Sequence, residues 1–219
     1  MNYALITGAG SGLGKALAIQ YSNQGYGIIL IGRRQEKLEE TKSIIQQSGG
    51  TAETYVCDIT SWDQLEALAN QINQVDVLIN NAGIGYFGSF EELEKEQIDT
   101  MLNVNVAGPI YTTKHLMPHI QKRNGRILNI ISTAGLRGKV HESGYCASKF
   151  AQRGFTESLQ KEYEEQNVHI TAVYMGGMNT PFWEDSNYIS DPSILPSPNT
   201  IAEQIIKQDD GRKEIIIEK

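Results

Sequence analysis

Short apolar runs alternate with longer amphipathic stretches along the whole chain, and this alternation restricts it to a layered α/β fold. Tyr3–Thr7, Gly27–Ile31, Ala52–Cys57, Val75–Asn80, Arg126–Ile131 and His169–Tyr174 are rich in Ile, Val, Leu and Tyr. Several are apolar throughout, as strands buried on both faces of a parallel sheet must be. Helical patterns fill the gaps near 13–24, 34–48, 62–73, 94–120 and 144–166, and each parallel crossover needs a connection of that length. A doubly wound parallel sheet of about seven strands with helices on both faces follows. A short helix near 200–207 and a last strand near 213–217 complete the count. Ser61-Trp62-Asp63-Gln64 has the form of a capping box at the third helix.

The 219 residues contain no repeat, linker or low-complexity tract, so they read as one domain over 1–219. Thr180–Asn199 holds four of the six prolines and predicts a loop over about 180–199, long enough to suggest function. A net charge of −7 gives no general affinity for nucleic acid or anionic lipid. Cys57 and Cys146 form neither a CxxC nor a metal-like cluster, so no metal is expected and a reducing compartment fits. The chain enters an apolar run by Tyr3 without a basic leader, and it lacks a run of about 18 apolar residues. A cytoplasmic protein with no membrane segment is expected.

Thr7-Gly8-Ala9-Gly10-Ser11-Gly12-Leu13-Gly14 follows the first strand and opens the first helix. There, backbone N–H groups and the positive helix end can approach a pyrophosphate, and missing Cβ atoms permit close contact. The spacing is GxxxGxG rather than GxGxxG, and a turn that only tightens a β-α unit is the competing reading. The second strand ends Ile31-Gly32-Arg33-Arg34, with no acid before Glu36. A carboxylate at that point would favour NAD, whereas a guanidinium suits a 2′-phosphate, so NADP(H) is predicted with Arg33 first and Arg34 second.

Tyr145 and Lys149 stand four residues apart, which on a helix places them on one face. A neighbouring cation is what a phenol with a reference pKa of about 10 needs to exchange protons near neutrality. Ser132 lies thirteen residues upstream at the end of an apolar run, where open α/β sheets bind ligands. Each residue also has an ordinary explanation: a surface pair for Tyr145 and Lys149, a turn cap for Ser132.

Taken in order, these motifs resemble the short-chain dehydrogenase/reductase family, of the NADP-preferring type, from Tyr3 to about Thr180. The resemblance implies a Rossmann-like fold and a cofactor loop through Gly8, Ser11, Gly12, Leu13 and Gly14. It implies that Asp58 and Ile59 meet the adenine and that Asn81, Ala82 and Gly83, in an NNAG element, line the cofactor cleft. Asn105 matches the asparagine that holds a proton-relay water. Ser132, Tyr145 and Lys149 complete a catalytic tetrad, with Tyr145 and Lys149 also touching the cofactor. Gly176 and Thr180 are placed to meet the nicotinamide carboxamide. Taken singly, Asp58 can cap a turn, Asn80 and Asn81 can satisfy buried polar groups, and Asn105 can bond backbone in a bent helix. Met175 replaces the family's usual proline and puts that loop's rigidity in question. The short final stretch Gly211–Lys219 leaves the expected homodimer or homotetramer open.

The predicted activity is hydride transfer between NADP(H) and a small-molecule carbonyl or alcohol, with Tyr145 as general acid/base. The substrate walls are expected from Gly83–Phe87, Thr133–His141 and Phe182–Leu195, with Leu136, Val140, Phe182, Trp183 and Tyr188 making them apolar. His141 is either a polar contact or a solvated loop residue. A catalytically silent NADP-binding sensor or scaffold is the alternative, disfavoured by the intact tetrad. An extended epimerase or dehydratase is disfavoured by the loop spacing.

Overall fold

The computed structural model describes residues 1–184, 186 and 188–217. Seven strands form one parallel sheet: β1 (Tyr3–Thr7), β2 (Gly27–Gly32), β3 (Ala52–Val56), β4 (Val77–Asn80), β5 (Arg126–Ile130), β6 (His169–Met175) and β7 (Glu214–Ile217). Their order is β3-β2-β1-β4-β5-β6-β7, and every neighbouring pair is parallel. The helices between them are α1 (Gly12–Asn23), α2 (Gln35–Gln47), α3 (Trp62–Gln71), α4 (Lys95–Leu102), α5 (Gly108–Lys122), α6 (Ser143–Glu162) and α7 (Pro198–Gln208). This is the doubly wound, Rossmann-like architecture expected from the alternation.

Strand periodicity explains the two cores. Ala4 and Ile6 face the layer carrying Leu17 of α1 and Ile205 of α7. Leu5 faces the layer carrying Leu65 of α3, Leu116 of α5 and Leu159 of α6. Both faces of β1 are therefore sealed, and the winding direction reverses between β1 and β4. A crevice opens beyond the strand ends at such a switch point.

The stretch near 94–120 is not one helix. Between α4 and α5, residues Asn103–Ala107 widen into a π-turn, an insertion that occurs frequently at functional sites. The expected capping box at Ser61 is half formed. Ser61 Oγ accepts from the Gln64 N–H at 3.4 Å, but Gln64 turns its own oxygen to the Asp58 N–H at 2.8 Å. The strand expected from Val75 starts at Val77; just before it Asp76 bonds Tyr3 and Arg126 through its backbone, and its carboxylate accepts the Tyr3 N–H and the Arg123 guanidinium. The end of β7 reaches Ile217; Glu218 and Lys219 lie outside the described residues.

Candidate active site

One cleft of about 500 Å³ runs along the C-terminal edge of the sheet. The glycine turn forms its floor. Gly8 and Gly12 hold φ of 67° and 52°, which side chains rarely adopt, and their backbone faces the cleft with Ser11 and Leu13. Gly14 does not line it. A Cβ there would strike the Gly8 carbonyl and the Asn81 amide, so this glycine serves the close packing of α1 on the turn.

The same turn is fastened to β4. Thr7 Oγ1 accepts the N–H groups of Asn81 and Ala82, both at 3.0 Å, while Asn81 Nδ2 donates to the Thr7 carbonyl at 2.9 Å. Asn80 donates to Thr113 and Asn129 on the buried side. The NNAG element thus fixes both walls of the crevice, with Asn81, Ala82 and Gly83 at its surface. Asp58 and Ile59 lie at the far end of the cleft. Asp58 Oδ1 accepts from the backbone and hydroxyl of Thr60, so it caps a turn as well as lining the site. Arg33 and Arg34 are exposed beside Gly32 at the same end. Among the described residues no ion pair engages either arginine, whereas nearby Lys37 is held by Glu40 at 2.8 Å.

At the other end, Ser132, Tyr145 and Lys149 converge. Ser132 has φ of 143°, a strained value for a residue with a side chain. Its Oγ accepts the Ala134 N–H at 3.1 Å, which leaves its proton free to donate. The turn cap and the cleft-lining serine are therefore the same residue. Burial pushes the Tyr145 phenol well above its ordinary value; the Ser132 hydroxyl lowers it and the Glu142 carboxylate raises it further. Lys149 stacks its Nζ 5.7 Å from the Tyr145 ring centroid. It donates to the Ile130 carbonyl at 3.2 Å and to Gln152 Oε1 at 2.7 Å. Burial lowers its pKa to about 7, since nothing anionic offsets the desolvated ammonium.

Asn105 is fully buried in the π-turn and does not reach the cleft surface. Its Oδ1 accepts the Ile84 N–H at 2.9 Å, and its Nδ2 donates to the Ile84 carbonyl at 2.8 Å and to Ser148 Oγ at 3.0 Å. The side chain therefore pins the backbone after Gly83, and the space above Gly83 is bounded by Asn105 Oδ1 and Lys149 Nζ.

The substrate walls differ in part from expectation. Gly83, Ile84, Phe87, Phe182 and Trp183 line the cleft. Leu136 instead packs against Ile131 and Tyr174, and Val140 is 77% exposed. His141 (φ 61°) lines an adjoining recess with Tyr188. Phe87 stacks on Tyr188 at 4.8 Å and meets the Tyr145 ring edge-on at 5.4 Å. Asp185 and Asn187, within the expected loop, lie outside the described residues. Gly176 and Thr180 line the cleft. Met175 is the last residue of β6, in register with Ile217. Beyond it the loop is tied down by Trp183 Nε1 donating to Met178 O at 2.9 Å and by Asn179 N–H donating to Pro196 O at 3.0 Å.

Residues 2–189 match the family model described as short chain dehydrogenase. The chain belongs to that family. It is accordingly an NAD(P)-dependent oxidoreductase of the short-chain dehydrogenase type. A mouse 3-ketodihydrosphingosine reductase is 32% identical over 94% of this chain and 67% of its own length. A fatty acyl-CoA reductase of Acinetobacter baylyi is 36% identical over 81% of the chain and 63% of its own length. The chain thus spans about two thirds of these relatives. An alcohol dehydrogenase from Thermococcus sibiricus, solved with 5-hydroxy-NADP, superposes with a TM-score of 0.90 at 27% identity, covering 99% of this chain and 96% of that one.

Sequence reasoning on this short-chain dehydrogenase missed two residues beside the pair. Gln152 stands three after Lys149 on α6, so helical spacing places it there, and Glu142 lines the cleft just before that helix. Ile84 lies in the expected Gly83–Phe87 wall, but its backbone contact with Asn105 is one that no side-chain pattern reveals.

Proposed function

We propose that this dehydrogenase interconverts a carbonyl compound (an aldehyde, ketone or 3-oxo compound) and an alcohol with NADP(H) as partner. The observation that carries the reading is the convergence of Ser132, Tyr145 and Lys149 at one end of a cleft whose other end is glycine turn and free guanidinium groups. The residues fit a dinucleotide: glycine φ values and crowding leave backbone bare along the floor, as a pyrophosphate requires. Bound NADPH supplies the hydride, so that NADPH, a proton and the carbonyl compound become NADP⁺ and the alcohol.

Arg33 and Arg34 hold the 2′-phosphate, Gly176 and Thr180 the carboxamide, and Asp58 and Ile59 the adenine. Ser132 Oγ and Tyr145 Oη bond the substrate oxygen, and Tyr145 gives its proton to the developing alkoxide. Lys149 titrates near neutrality and restores that proton, with water held at the Gly83–Ile84 backbone that Asn105 fixes. A cytoplasmic location accords with two buried, unpaired thiols. The exposed face of α6, with Phe150 and Gly154, supports a homodimer or homotetramer.

Oxidation of NADPH and NADH with a panel of aldehydes, ketones, diketones and 3-oxo acids tests the reading. NADPH is expected to be preferred, and Arg33→Ala to remove most of that preference. Tyr145→Phe is expected to lower kcat by about 10²–10⁴. Equal use of NADH would remove the arginine assignment, and near-normal turnover by Tyr145→Phe the mechanism.

A further inference from the structure

Glu142 immediately precedes α6 and is only 6% exposed, yet it lines the cleft three residues before Tyr145. The two side chains line one cleft at the start of α6. Its carboxylate is poorly provided for. Oε1 accepts one hydrogen bond, from the Tyr188 hydroxyl at 3.1 Å. Among the described residues Oε2 has only the Lys139 ammonium at 3.7 Å, beyond hydrogen-bond distance. An ionised carboxylate offers about four acceptor positions, so those that face the cleft are left for a ligand. The carboxylate makes no capping hydrogen bond to the α6 N-terminus.

The surroundings narrow what the missing partner is. Phe87, Phe182, Trp183 and Tyr188 pack ring against ring across the mouth of the cleft, with Phe87 at 4.8–6.0 Å from the other three. Tyr188 joins this cluster to the carboxylate, and a carboxylate beside aromatic rings favours an organic cation over an anion. Glu142, Ser132 and Tyr145 line the same cleft, so an amine close to a carbonyl held by Ser132 and Tyr145 can be met by the carboxylate.

Resting on the reductase reading above, we infer that Glu142 is a specificity-determining residue that receives a protonated amine on the carbon beside the reacting carbonyl, so that the preferred substrates are amino ketones. Tyr188 holds the carboxylate in place from the loop side, and the aromatic cluster screens the ammonium from solvent. Lys139, longer and half-buried, is displaced outward when the substrate amine enters.

Phenacylamine and propiophenone differ only by an ammonium in place of a methyl group, and they test this directly. With NADPH in excess, the wild type is expected to favour phenacylamine in kcat/KM by about tenfold or more, the worth of one charge-assisted hydrogen bond. In Glu142→Gln that ratio is expected to collapse towards one, chiefly through KM for the amine. A wild type without preference, or a Glu142→Gln variant that loses both substrates in parallel, overturns the inference. If neither ketone is reduced, the reductase reading is judged separately, failing only if the whole carbonyl panel is also left unreduced. Calorimetric binding of the two ketones to the wild type with NADPH present then decides, since equal affinities overturn the Glu142 assignment.

Discussion

Lys149 is nearly sealed from water, at 4% exposure, and its hydrogen-bond partners among the described residues are neutral oxygens. A fully paired lysine would sit at its ordinary pKa; burial brings this one from 10.5 to about 7. The consequence for stability has a definite sign. Below pH 7 both folded and unfolded chains carry the proton, and the folded state bears the full cost of the buried cation. Above 7 the folded state releases the proton while the unfolded chain keeps it, so stability rises with pH. The raised phenols of Tyr21, Tyr145 and Tyr174 act in the opposite sense above about pH 10, which closes the window. The unfolding free energy of the wild type, from urea titrations without cofactor, is expected to gain about 1–4 kcal/mol on that of Lys149→Met between pH 7 and 10. Parallel pH curves for the two proteins would mean that Lys149 is charged in the folded state throughout. A poised ammonium is also what the proposed proton path requires, so the same burial that weakens the fold serves the chemistry.

At the scale of elements, two glycines in helices make a controlled pair. Gly14 in α1 faces the Gly8 carbonyl, and backbone there cannot yield without moving the cofactor turn. Gly154 in α6 has open space where a Cβ would go. Gly14→Ala is expected to cost about 1–3 kcal/mol or more through overpacking. In a monomer Gly154→Ala is expected to gain about 0.5–1 kcal/mol from helix propensity alone, whereas a loss would place Gly154 in the proposed subunit interface. Thermal denaturation of both variants checks the contrast, and a neutral Gly14→Ala would refute the packing role assigned to it. These elements also show what a sequence can disclose. The strands were readable because sheets buried on both faces need continuous apolar runs, and the meeting of Ser132, Tyr145 and Lys149 in one cleft because they stand in family order. The π-turn was not readable, because it is fixed by Asn105 reaching Ile84, 21 residues away. Leu136 and Val140 were misplaced for a similar reason: apolar character does not say which of a loop's two sides faces the cleft. Gln64 defeated the Ser61 capping box by finding the Asp58 N–H, a choice made by the loop's path and not by local spacing.

For the whole molecule, the question is what holds the last helix and strand to a domain whose cleft is built almost wholly by earlier residues. Asp209 caps α7 and is buried, its side chain 3% exposed. It accepts Arg126 Nε and Nη2, at 2.8–2.9 Å, from the start of β5, and the Tyr21 hydroxyl at 2.5 Å from α1. Arg126 also donates to the Tyr26 hydroxyl and lies over that ring. One carboxylate therefore joins segments 83 and 188 residues apart. Removing one partner of a buried pair leaves the other charged and unsatisfied, which costs about 3–5 kcal/mol. Asp209→Ala is expected to lose that amount, and about 2–4 °C of Tm for each kcal/mol in a chain of this size. Because β5 begins at the sheet edge opposite the cleft, KM for cofactor should stay within about twofold at temperatures where the variant is folded. A loss below about 1 kcal/mol would show that water enters to solvate Arg126. A selective rise in KM would show that the α7 end of the molecule is coupled to the cleft through the sheet. Only the combination of large destabilisation and unchanged KM supports a network that holds the domain together without touching its chemistry.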